Sequence, residues 1–363
     1  MGMGNKKVGI AGAGRMGRAV AWAMERLGYN LVIIDQSEKA LNECKNILKH
    51  SHHIFEVFKC APDNNTFDIL KDCETVIASL PYHQNLELAI FCIDENIKYF
   101  DLGGSVSVSN KINEASYAYG NTPVMTDLGL APGWANIVAE NLYKEYRVEH
   151  HKPPNSIAMM VGGLPKKPIN TLKYSCTWSY DGLINEYKED CAVLIHGETS
   201  IQKSMSGLES VRTSIGNLEA FYTSGGTAHT LTTMKNRGVK NCCYKTLRYP
   251  GHHGIVNFLI HESGLDDEAL IKIFKKTCPP QDDLVVIKVQ VDDVLNDGDI
   301  MSFQKVIKSD SQFSAMQKAT AFPIASAAHT VALSHAYKPV LKYDDIEYPQ
   351  FNKWLGYLFE EVN

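Results

Sequence analysis

Gly12, Gly14 and Gly17 stand in the stretch VGIAGAGRMGRAV (residues 8–20), where an apolar run enters three spaced glycines and then helix-forming residues. The GxGxxG spacing has a physical reading in that context. Gly12 allows a sharp turn, Gly14 the close approach of a pyrophosphate, and Gly17 a tight helix–sheet contact. Arg15 and Met16 lie between them, where the N–H groups of a helix start would face phosphates. The alternative is a packing turn made of small residues, and Asp35 weighs against it. Asp35 ends the next strand, where a carboxylate accepts both hydroxyls of a ribose. Its charge repels a 2′-phosphate and Gln36 beside it offers no cation, so the stretch predicts a cradle for NAD rather than NADP.

Other chemistry-bearing residues fall at the ends of later apolar runs. Ser79-Leu80-Pro81-Tyr82 ends one strand and Asp101-Leu102-Gly103-Gly104 another, and the carboxyl ends of strands in open α/β sheets face the ligand crevice. Pro81 and the glycines would also serve simply to turn the chain. Asp127 reads either as a group that orients a substrate or as a cap for the following helix. The turn Tyr222–Thr227, with Thr223, Ser224 and Gly225, reads either as a nest for a carboxylate or as a hairpin turn. Arg248 offers a planar fork to a carboxylate, or a surface salt bridge. His252, four residues on, is a candidate base, whereas His50, His52 and His53 read as a solvated loop and not a metal site. GxSxG, HExxH and Walker patterns do not occur.

The elements that must position these residues follow two rhythms. From residue 6 to about 131, short apolar runs alternate with helical patterns: 8–11, 31–34, 54–59, 75–80, 99–102 and 124–128. This alternation predicts a doubly wound parallel sheet of Rossmann type. The helix at 19–27 is closed by Gly28, and a helix after Ala131-Pro132-Gly133 runs to about Tyr143 with Pro132 in its first turn. From about 150 to 312 the strand-like runs (156–162, 172–178, 218–223, 244–248, 284–291 and 300–307) have irregular Gly-rich connections, the pattern of an inserted α+β domain. Residues 315–337 then read as one apolar helix interrupted at Pro323, returning to the first domain. The expected division is 1–131 plus about 315–363, and about 132–314.

The chain has 363 residues, enough for two domains, and a formal net charge of −5, which speaks against a nucleic-acid binder. Nine cysteines without CxxC pairs fit reduced thiols in a cytoplasm. No apolar run approaches the ~20 residues of a membrane span, and residues 1–7 show no signal-peptide core. These features predict a cytoplasmic protein with a small-molecule partner.

The segments AGAGRMG, FDLGGS, DLGLAPGWANI, VGGLP, LEAFYTSGGT, YKTLRYPGH and ATAFPIASAA, in this order, resemble the saccharopine-dehydrogenase-like superfamily, most closely its lysine 6-dehydrogenase branch. The resemblance implies a Rossmann domain completed by the C-terminal helix, and a homodimer or larger homo-oligomer. It implies that Gly12, Gly14, Met16, Gly17 and Asp35 hold NAD, with the Ser79–Tyr82 loop beside the nicotinamide half. It further implies that Asp127, Thr223–Gly226, Arg248 and His252 face the cleft. Lys59-Cys60-Ala61 departs from relatives that often carry an Asp near the adenine. The expected reaction is oxidation of the terminal amine of L-lysine to allysine and ammonia. The amine must be neutral at hydride transfer, and with a pKa near ~10.4 its deprotonation at pH 7 costs about 4–5 kcal/mol unless the site lowers it. His252 would accept the proton and Asp127 orient the amine. Saccharopine dehydrogenase or a related secondary-amine oxidoreductase is the rival, and a non-catalytic NAD-binding sensor the second.

Overall fold

A computed structural model describes residues 6–292, 300–334 and 338–362. The chain divides into two compact units, Met1–Trp134 with Gln317–Asn363, and Ala135–Met316.

In the first unit β1 (Lys7–Ala11), α1 (Arg15–Arg26), β2 (Asn30–Asp35), α2 (Glu38–Ile47), β3 (Phe55–Lys59), β4 (Thr75–Ala78), α3 (Asn85–Asp94), β5 (Lys98–Asp101), α4 (Val106–Tyr119) and β6 (Val124–Met125) follow one another. Among the described residues the strands form one six-stranded sheet in the order β3-β2-β1-β4-β5-β6, with every pairing parallel. Helices cover a parallel sheet on both faces, so its strands are apolar along their whole length: Val8, Ile10 and Ala11 and all of Val76–Ala78 are buried. Gly28 takes a positive φ of +92° just past α1, as a helix terminator does.

The second unit holds most of α5 (Trp134–His150), followed by β7 (Ser156–Pro165), α6 (Tyr180–Lys188), β8 (Cys191–Ile195), β9 (Glu198–Gln202), β10 (Glu209–Thr213) and β11 (Gly216–Tyr222). Then come α7 (Thr230–Asn236), β12 (Asn241–Arg248), α8 (His252–Asn257), α9 (Asp267–Thr277), β13 (Asp283–Asp292) and β14 (Ile300–Lys308). Its mixed sheet runs β10-β11-β12-β7-β13-β14, with β8 attached to β12 and β9 to β8. The first unit is completed by most of α10 (Ala315–Leu333) and by α11 (Tyr348–Glu361).

Five expectations from the sequence are corrected. Leu172–Trp178 is no strand: Leu172, Tyr174 and Cys176 are buried, but the segment pairs with no ladder and is held by single bonds such as Cys176 N–H to Cys278 O at 3.1 Å. Ser175 and Thr177 are buried as well, so burial is continuous from 174 to 177 and lacks the two-residue alternation of a half-buried strand. Pro132 lies in a tight turn before α5 instead of in its first turn, because Gly133 closes that turn against Gly129 and Trp134 N–H bonds Gly129 O at 3.0 Å. The same helix extends past Tyr143 to His150. Pro323 does not interrupt α10, which continues through it to Leu333; residues 335–337 lie outside the described residues. The turn after Tyr222 leads into α7, so it is not a hairpin turn. No helix of the described residues is long and apolar enough to cross a membrane.

The C-terminal helices are core elements of the first unit. Phe322 of α10 stacks on Trp22 of α1 (ring centroids 5.5 Å) and meets Phe359 of α11 edge-on (5.2 Å). Phe322→Ala should therefore cost about 3–5 kcal/mol, lowering the transition of this unit by about 6–20 °C in a calorimetric scan. An unchanged transition would mean that α10 is peripheral to the unit.

Candidate active site

Because the first sheet is parallel, the carboxyl ends of its strands open on one edge, and the strand order reverses direction between β1 and β4. The glycine loop leaves β1 at this point. Gly12 N–H bonds Ile34 O and Ser79 N–H bonds Ala11 O, both at 2.8 Å, so the ends of β2 and β4 flank the loop. A Cβ at Gly17 would collide with the Gly12 carbonyl oxygen, whereas a Cβ at Gly14 would meet nothing within 4 Å. Gly17 is thus required for packing, and Gly14 borders open space of the kind a pyrophosphate needs. No side chain caps α1, and its first turn holds no acidic residue to repel an anion. Asp35 accepts Ala13 N–H on Oδ2 and Ser37 N–H on Oδ1, each at 2.7 Å. These bonds fix the carboxylate and leave each oxygen a further lone pair for a hydroxyl. Gln36, Arg15 and Gly14 are exposed along this rim, with Met16 half-buried beside them. Cys60 N–H bonds Asp35 O at 3.2 Å, which sets the 59–61 segment next to the same carboxylate's residue. The residues present fit a dinucleotide.

Farther along the edge lie two buried carboxylates. Asp101 ends β5 and Asp127 follows β6; they are 1% and 8% exposed. Asp101 Oδ1 accepts the N–H groups of Asp127 (3.0 Å) and Gly103 (2.8 Å). Asp127 takes a left-handed φ of +63°, and Tyr343 donates its hydroxyl to the Asp127 carbonyl at 2.8 Å. Ser109 Oγ donates to Asp127 Oδ1 at 3.0 Å and Thr126 Oγ1 to Oδ2 at 3.3 Å. A Cβ at Gly103 would run into Asp127 Oδ1, so only glycine lets the two segments meet. Burial, with the Asp101 charge adding to it, pushes the Asp127 carboxyl up to about 7. Asp101 is also raised, by burial, against the hydrogen bonds it accepts. The pair therefore retains a proton far above the ordinary carboxylate range. The helix following Asp127 begins only at Trp134, so a capping role does not apply. Leu80 is half-buried, Pro81 is exposed, and Tyr82, 45% exposed, packs its Cβ near Gly104.

The second unit gathers a different cluster. Arg248, at the end of β12, is 3% exposed and, among the described residues, in no salt bridge, which removes the surface ion-pair reading. Its Nε donates to Tyr187 Oη at 2.8 Å and its Nη1 to Leu247 O at 2.9 Å. The guanidinium carbon sits 4.6 Å from the Tyr174 ring centroid and 5.7 Å from that of Tyr187. Burial alone opposes its charge, but the oxygens of Tyr187 and Tyr174 and the carboxylate of Glu186 more than offset that and raise its pKa. Nη2 makes no hydrogen bond among the described residues, leaving a fork edge for a carboxylate.

His252 is fully buried, with Nδ1 2.7 Å from Leu172 O and Nε2 3.1 Å from Tyr187 Oη. Burial, reinforced by the Arg248 charge, lowers its pKa to about 3. Both ring nitrogens are thus occupied, and the imidazole stays neutral at pH 7. Thr223 Oγ1 bonds Thr246 Oγ1 at 2.8 Å, Ser224 N–H bonds Glu186 O at 3.2 Å, and Gly225 is exposed at the tip of the turn with φ +89°. Ser224 N–H is therefore committed within the unit and does not face outward as a nest donor.

His50, His52 and His53 lie on a partly exposed loop. No group of three or more His, Cys, Asp or Glu among the described residues is placed to hold a metal. The pairing of Asp101 with Asp127, the tyrosines 174 and 187, and Glu186 carry no signal in the sequence. Each depends on contacts between segments far apart in the chain.

A family model for the saccharopine dehydrogenase C-terminal domain matches residues 129–358, and one for the saccharopine dehydrogenase NADP binding domain matches residues 8–127. Apo saccharopine dehydrogenase (L-Glu forming) from Saccharomyces cerevisiae has a similar structure: TM-score 0.77, 14% identity, 99% of this chain and 98% of that chain covered. Homospermidine synthase from Legionella pneumophila, solved in complex with NAD, is similar at TM-score 0.63 and 10% identity, with 97% and 89% covered. At these identities the likeness establishes the fold.

The carboxylate pair makes a signed prediction about stability. An unfolded Asp ionises near ~4, while Asp127 in the fold holds its proton to about 7. This group's contribution therefore falls as pH rises from about 4 to about 7, because the folded state binds the extra proton. Asp127→Asn should be more stable than the native protein at pH 8, with the gain shrinking as pH falls to 5. Urea titrations across that range check it. No gain at pH 8 would mean that the pair does not carry a shifted proton.

Proposed function

The chain belongs to the saccharopine dehydrogenase family, and from that premise we propose that it oxidises the terminal amine of L-lysine with NAD, giving allysine and ammonia. The observation that carries this reading is the proton-holding pair Asp101–Asp127, on the same sheet edge as the glycine loop. When bound, the nicotinamide accepts a hydride from the carbon that bears the amine. The protein must supply a proton acceptor, because an ammonium has no lone pair to stabilise the cation that forms.

Magnitudes choose between the two candidate bases. Taking a proton from an ammonium of pKa ~10.4 is uphill by about 4–5 kcal/mol for an acceptor at 7 and by about 10 kcal/mol for one at 3. Asp127, at about 7, is the better base, and His252, at about 3, is left the task of positioning Tyr187. Ser109 and Thr126 hold the Asp127 carboxylate once it is ionised. Arg248 binds the substrate α-carboxylate, held in place by Tyr187 and Tyr174. Asp35 supports NAD over NADP, since a fixed carboxylate accepts ribose hydroxyls and repels a 2′-phosphate.

The deciding assay is NADH absorbance with NAD and lysine alone. Turnover supports the proposal; turnover only with saccharopine supports the rival oxidoreductase, and silence across an amine panel supports an NAD-binding sensor. Asp35→Ser should weaken NAD binding about tenfold to hundredfold and narrow the preference over NADP. Unchanged NAD affinity in a titration would remove Asp35 from the site. Arg248→Met should raise KM for lysine about 30- to 150-fold, while the Kd for NAD stays near native. An unchanged KM in the folded variant would take the carboxylate away from Arg248.

A further inference from the structure

Glu186 lies one residue before Tyr187, on the α6 turn whose Leu183, Ile184 and Tyr187 are buried in the core of the second unit. The backbone there is pinned: the Glu186 carbonyl accepts Ser224 N–H at 3.2 Å and Ser204 Oγ–H at 2.7 Å. The side chain is another matter. The residue is only half-exposed, yet among the described residues its carboxylate makes neither a hydrogen bond nor an ion pair. It stands within electrostatic range of the Arg248 guanidinium and of the Tyr244 and Tyr187 hydroxyls. Burial pushes its carboxyl up to about 7, and Arg248 pulls in the opposite direction.

A partly buried carboxylate and a buried guanidinium that are near one another without an ion pair among the described residues are each left with unused hydrogen-bonding capacity. Charges taken out of water are ordinarily paired. A ligand that brings its own cation to the carboxylate and its own anion to the guanidinium satisfies both. The α-carbon of a free amino acid carries such a pair of charges on neighbouring atoms. A simple carboxylic acid would satisfy Arg248 alone and leave the Glu186 carboxylate unmatched.

We propose that Glu186 and Arg248 form a two-point receptor for the head group of a free α-amino acid, with Glu186 taking the α-ammonium and Arg248 the α-carboxylate. This rests on the assignment of Arg248 as the carboxylate anchor and makes Glu186 the residue that selects α-amino acids over their des-amino counterparts. Any terminal amine that reacts must then lie at the far end of the side chain, away from this pair.

Titration calorimetry on the full chain with saturating NAD tests this with two probes that lack a reactive amine. L-Norleucine has both head-group charges, and hexanoate has only the carboxylate. The native protein should prefer norleucine by at least about tenfold, the contribution of one charged hydrogen bond. Glu186→Gln should weaken norleucine about tenfold to hundredfold, leave hexanoate near native, and so remove the preference. Arg248→Met should weaken both probes. If Glu186→Gln does not fold by circular dichroism, Glu186→Asp, shorter by one methylene, should reduce the preference in the same direction. A native protein that does not discriminate, or a folded Glu186 variant that keeps the full preference, overturns the proposal. Lysine turnover is judged separately. A Glu186-dependent preference without NADH formation keeps the receptor and discards lysine oxidation, whereas turnover with an insensitive preference does the reverse.

Discussion

The parallel direction of all six strands in the first sheet is the constraint from which its site follows. Parallel pairing sends every carboxyl end to the same edge, so the glycine loop after β1, Asp35 at the end of β2, the Ser79–Tyr82 loop after β4, Asp101 at the end of β5 and Asp127 after β6 are gathered without any long-range design of loops. Two glycines permit close contacts along that edge. Gly17 lets α1 approach the Gly12 carbonyl, and Gly103 lets the β5 loop approach Asp127. The C-terminal segment reaches the same edge through the bond from Tyr343 to the Asp127 carbonyl, which holds a backbone of positive φ in place. Chemistry and folding therefore share the same few contacts.

The second unit solves a different problem, the burial of a positive charge with no anion in direct contact among the described residues. Arg248 is held by aromatic faces and a phenol oxygen, interactions that stabilise a guanidinium while leaving part of its fork available. His252 pins Tyr187 in turn and, being neutral, adds no competing charge. Such an arrangement is costly for stability alone, because an apolar residue would pack there without desolvating a cation. Its retention makes sense where a ligand completes the charge balance.

Much of the cofactor side was legible from local pattern. GxGxxG followed by Asp35 describes a strand, a turn and a helix within thirty or so residues, and local geometry decides how those groups lie. Arg248 was also visible as a candidate, since an arginine at a strand end is read from its position. Leu172–Trp178 reads as a strand from its apolar and aromatic residues, but in the fold it is a loop buried without a break from 174 to 177, and composition does not record the lack of a partner strand. His252 looked like a base because nothing in the sequence states that Leu172 O and Tyr187 Oη occupy both of its nitrogens.

The sequence by itself determined the cofactor cradle, the alternation of the first unit and the presence of an inserted domain. Hydrophobic period, glycine spacing and strand-end acids are local properties, expressed wherever the chain folds at all. Only the tertiary structure decided which carboxylates are buried beside one another, which histidine is spent on a tyrosine and which glutamate, among the described residues, makes no ion pair near Arg248. Those outcomes depend on burial and on distances between residues such as 101 and 127, 187 and 252, or 186 and 248. Desolvation and Coulomb energy act through space, and separation along the chain carries no record of them.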